Sequence, residues 1–68
     1  MSINEKDINL SKKKYPNLSD IREEIKRLDG TMPENKRTKV YKDWRKDINF
    51  LIEIYNARVG YAYYQTII

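Results

Sequence analysis

Sixty-eight residues without cysteine or histidine allow one small domain with no disulfide and no zinc site of the usual ligand set, leaving association as the remaining route to extra stability. The formal charge of +4 and a pI near 9.4 suit either an acidic partner or a surface kept soluble by its charge. Catalytic signatures are missing: no histidine to move protons, no cysteine nucleophile and no glycine-rich phosphate loop, so an enzyme is not expected, nor any cofactor or metal.

Residues 1–17 carry scattered Ile3, Ile8, Leu10 and Tyr15 among asparagines and a Lys12, Lys13, Lys14 run, with neither helical nor strand periodicity. An extended polar and basic arm is expected there. The run reads either as a solvated tail or as a polycation reaching for phosphate.

Residues 18–68 are expected to form a single helical hairpin with an apolar tail, making the fold all-α. A short helix from about Ser19 to Asp29 presents Leu18, Ile21, Ile25 and Leu28 as one apolar stripe. Ser19 or Asp20 is a candidate cap, and Gly30 suits a left-handed closing residue. Asp20, Glu23 and Glu24 beside Arg22, Lys26 and Arg27 predict ion pairs within the chain.

After a tight turn, a long amphipathic helix should begin somewhere in 34–38, with Thr31 or Thr38 as cap, and end at Gly60. Tyr41, Trp44, Ile48, Leu51 and Tyr55 alternate at spacings of three and four, a seam for the first helix lying antiparallel. Ile52 and Val59 widen the seam. Phe50 and Ile54 point partly elsewhere, more apolar surface than one short helix covers. The charge-free tail Tyr61 to Ile68 continues the helix or extends, buried in this chain or another.

Two surfaces follow. Lys39, Lys42 and Lys46, with Arg45 beside them, share a helix face that is either solvated, with Asp43 and Asp47 as ion-pair partners, or in contact with phosphates without reading sequence. Phe50, Ile54, Tyr55, Val59, Tyr61, Tyr63, Tyr64, Ile67 and Ile68 are the expected partner surface, for self-association or for docking on a larger assembly, since tyrosine buries much area at small entropic cost. No apolar run of about 18 residues predicts a membrane span, and no signal peptide is recognised, so the chain is expected to be intracellular when made.

In size, charge, an AT-rich coding bias, the lysines at 39, 42 and 46 and the tail from Tyr61 to Ile68, the sequence resembles the small basic proteins that line the inside of capsids of short-tailed bacteriophages. That resemblance implies many copies between shell and packaged DNA, in the virion interior. The contrasting expectation is a small inhibitor or regulator, phage-encoded or not, that captures one host protein through the same aromatic residues. A dimeric sequence-reading regulator fits less well, because no compact helix-turn-helix core is visible.

Overall fold

The computed structural model describes residues 3–67 and contains three α-helices, with no strand among the described residues. They are α1 (Glu5–Lys14), α2 (Leu18–Asp29) and α3 (Lys39–Val59). The all-α expectation holds, and the hairpin is α2 against α3.

The antiparallel pairing is fixed at both ends. Trp44 near the start of α3 donates its indole N–H to the Leu28 carbonyl at the end of α2, 2.6 Å away. At the far end Arg58 donates to the Tyr15 carbonyl at 2.6 Å and to the Pro16 carbonyl at 3.4 Å, holding the α1–α2 corner. Between these anchors Ile21, Ile25, Tyr41, Trp44, Ile48, Ile52, Ile54 and Tyr55 form the buried core. Leu18, Leu28 and Leu51 pack on it only partly buried. The seam read from heptad spacing is therefore the real contact, with Ile52 buried in it and Val59 packed partly buried against it.

Residues 5–14 depart from the expected extended arm. Asn4 caps them by accepting the Asp7 amide on its side chain at 2.8 Å, Glu5 and Asp7 occupy the positive first turn, and Lys12, Lys13 and Lys14 occupy the negative last turn. The helix has little apolar patterning of its own; α3 supplies the missing stabilisation. α1 packs against α3, and Ile54, on the side of α3 away from the α2 seam, is only 1% exposed. The surplus apolar surface of α3 thus has a cover within the chain, the helix that periodicity did not reveal.

The other boundaries follow from local hydrogen bonding. α2 starts at Leu18 after Asn17, whose side chain makes no cap bond, so neither Ser19 nor Asp20 is the capping residue. Gly30 closes α2 at φ −74, in the right-handed region, and not as a left-handed cap. Residues 31–38 stay non-helical: Asn35 accepts the Arg37 amide on its side chain and takes both the amide and the hydroxyl of Thr38 on its carbonyl. Thr38 in turn accepts the Tyr41 amide and so starts α3 at Lys39. Gly60 ends α3 at φ 87, the left-handed geometry that glycine tolerates best.

Candidate polyanion face and C-terminal clasp

Lys39, Lys42 and Lys46 are exposed along one side of the first half of α3, with Arg45 partly buried next to them and Lys36 and Arg37 exposed in the preceding loop. From residue 36 to residue 46 there are six cations and one carboxylate, Asp43, a local balance of +5 against +4 for the whole chain. The remainder is close to neutral. Among the described residues, Lys39, Lys42 and Lys46 join no ion pair, so Asp43 and Asp47 do not neutralise the stripe as the solvated-face expectation supposed. The pairing expected on α2 does form: Arg27 binds the Glu24 carboxylate through two nitrogens.

Position within the helix adds to the charge. The first turn of α3 holds no acidic residue, and its free amides already carry partial positive charge. Basic side chains there oppose the usual stabilising arrangement, whereas Lys12, Lys13 and Lys14 at the end of α1 follow it. The two basic groups approach each other at Lys14 and Lys46, which line one cleft, while the start of the α3 stripe lies farther off. α1 ends beside Arg58, on the order of 20 Å along α3 from Lys42 at 1.5 Å per residue.

The expected partner residues divide. Ile54 and Tyr55 are core, 1% and 5% exposed, and Val59, Tyr64 and Ile67 pack partly buried against that core. They do not form an open interface, because α1 and the tail cover them. Phe50, Tyr61 and Tyr63 remain exposed, at 41%, 62% and 48%. Ile68 lies outside the described residues.

The tail is held back on α3. Tyr63 and Tyr64 stand against the Tyr55 ring at centroid distances of 5.5 and 5.2 Å, and against each other at 4.8 Å. Arg22 of α2 lies 5.9 Å from the Tyr63 centroid, and the Tyr64 hydroxyl foremost, then Tyr63 and Tyr55, raise the pKa of its guanidinium. Asn56 donates to the Tyr64 carbonyl at 2.9 Å and accepts the Tyr64 amide at 3.0 Å. Asn49 does the same for Ile67, at 2.7 and 2.6 Å. These two asparagines were not singled out from the sequence. Their signal is present there: two amide side chains seven positions apart, flanking the apolar seam.

Grooves open beside these surfaces. One of about 580 Å³ runs between α2 and the tail over Ile48 and Ile52. Another, about 470 Å³, lies where α1, α2 and α3 meet and is lined by Leu10, Phe50 and Leu51, and a third, about 420 Å³, lies on α3 among Lys42, Arg45 and Lys46. No helix among the described residues is long and apolar enough to cross a membrane. No protein-family model, curated protein or solved structure matches the chain.

Proposed function

We propose that the chain is a non-enzymatic accessory protein that lays the lysine face of α3 on nucleic acid and docks on a larger assembly through the exposed Phe50, Tyr61 and Tyr63. The observation that carries the nucleic-acid half is the concentration of charge: the net positive charge of the molecule resides in residues 36–46, on side chains that are exposed, Arg45 alone being partly buried, and that join no ion pair among the described residues. Such a face binds phosphate by Coulomb attraction and counterion release, with no means of reading bases. The capsid interior implied by the resemblance is a setting in which that property serves, between shell and packaged DNA.

The direct test is binding to two duplexes of unrelated sequence at one salt concentration. Equal affinities are expected for the native chain, with binding lost in a chain carrying Lys39→Glu, Lys42→Glu and Lys46→Glu. Sequence discrimination, or unchanged binding after the charge reversal, contradicts the reading. Recovery of the protein only from host cytoplasm, never from purified particles, removes the virion setting.

A second reading, capture of one intracellular protein, is favoured by the cleft where α1, α2 and α3 meet. There Leu10 and Phe50 are 53% and 41% exposed beside the buried Ile54 and the partly buried Leu28 and Leu51. A Phe50→Asp chain that still binds DNA but loses a one-to-one protein complex would select that reading.

A further inference from the structure

Asn49 and Asn56 treat the tail as a neighbouring strand would. A primary amide carries one acceptor and two donors in nearly the geometry of a peptide unit, so each side chain satisfies both the N–H and the C=O of one tail residue. The spacings agree. Seven residues of α-helix separate the asparagines by about 10.5 Å, and three residues of extended chain, from Tyr64 to Ile67, cover about 10 Å. The pairs are Asn56 with Tyr64 and Asn49 with Ile67, so the tail runs antiparallel to α3.

What the asparagines hold is main chain; Tyr64 and Ile67 then add side-chain packing on the core. The connection back to α3 is short and depends on one residue. Gly60 reverses the chain at φ 87, and a Cβ placed on it would meet nothing within 4 Å. A turn of Gly60 into the right-handed region continues α3 and points the tail away from its own helix.

We infer that Asn49 and Asn56 form a receptor for an extended segment and that its second occupant is the tail of another copy, two chains exchanging residues 61–67. A second copy offers the same segment, so every hydrogen bond and ring contact of the clasp is remade and only the turn and the loss of independent motion distinguish the two states. The tail in its own chain has the advantage of a high effective concentration, which makes exchange a property of crowded copies. The inference uses no part of the nucleic-acid reading, and its test contains no nucleic acid.

The test mixes two full-length variants. One carries Tyr64→Pro and Ile67→Pro, which remove the tail amides and leave its receptor vacant. The other carries Asn49→Ala and Asn56→Ala, which remove the receptor and leave its tail free. Sedimentation velocity is expected to give monomers for each alone and a one-to-one heterodimer for the mixture. Two unassociated, helical monomers in the mixture overturn the inference. Should either double variant lose its helical circular dichroism, Gly60→Ala in the otherwise native chain tests the same exchange. Alanine disfavours the left-handed turn without a steric clash and should raise the dimerisation constant at least about fivefold, with the gain abolished by adding Asn49→Ala. An unchanged constant, or a dimer indifferent to Asn49→Ala, overturns it equally.

Discussion

Ile48 is 1% exposed within the cluster that joins α2 to α3, and truncating it removes apolar contact from the middle of that seam. Ile48→Ala should cost about 2–5 kcal/mol in urea unfolding, a large part of what a chain this small can hold. A cost under about 1 kcal/mol would mean that the seam is not packed as described. Glu24 offers a smaller and pH-dependent effect. Its hydrogen bond to Arg27 is the main cause lowering its carboxyl pKa. A lowered acid contributes stability that is present above the unfolded value, about 4.3, and is lost as pH falls through the folded value. The pair is largely exposed, 61% on the Arg27 side, so Glu24→Gln should cost only about 0.3–0.5 kcal/mol at neutral pH and nothing once the carboxylate is protonated. Thermal melts of both chains across that range check it. At this scale the sequence was informative where side chains obey helical spacing, as Ile21, Ile25, Trp44 and Ile48 do. The spacing of Asn49 and Asn56 was visible but gave them no role, because their importance depends on which backbone lies opposite them.

The helices differ in how openly they are written. α2 and α3 announce themselves by apolar periodicity, and Thr38 and Gly60 act at the ends where their chemistry suits them. α1 does not, because ten residues with Ile8 and Leu10 as their only large apolar groups give no stripe to detect. Its stability comes from the Asn4 cap, from charges placed with the helix dipole and from docking on α3, and the last of these is invisible in a local window. The Arg58 bond to the Tyr15 carbonyl, partly buried and bridging 43 positions of sequence, fixes the end of α1. Arg58→Ala should therefore cost about 1.5–3 kcal/mol, in keeping with the loss of a hydrogen bond to a charged group. Hydrogen exchange should accelerate in α1 more than in the middle of α2. Uniform acceleration would indicate that α1 is an integral part of one cooperative unit and is not held separately at this corner.

Seen whole, the molecule carries its charge and its apolar surface on different parts. The tail, read from sequence as buried somewhere, closes back on α3, and the apolar half of the chain becomes mostly interior. What stays exposed includes a lysine face, a few aromatic residues, the aliphatic Leu10, Met32 and Val40, and a cleft beside Phe50. The location of the lysine face was legible, since helical spacing fixes which basic residues align. Its lack of ion pairs with Asp43 and Asp47 was not, because side-chain pairing at exposed positions depends on rotamers and on weak energies. The central claim, that this face meets phosphate, is tested most directly by the salt dependence of duplex binding for the native chain and for one carrying Lys39→Ala, Lys42→Ala and Lys46→Ala. Each phosphate contact contributes about −0.9 to the slope of log K against log salt, so removing all three lysines should flatten it by about 2.7. Equal slopes for the two chains would contradict the account.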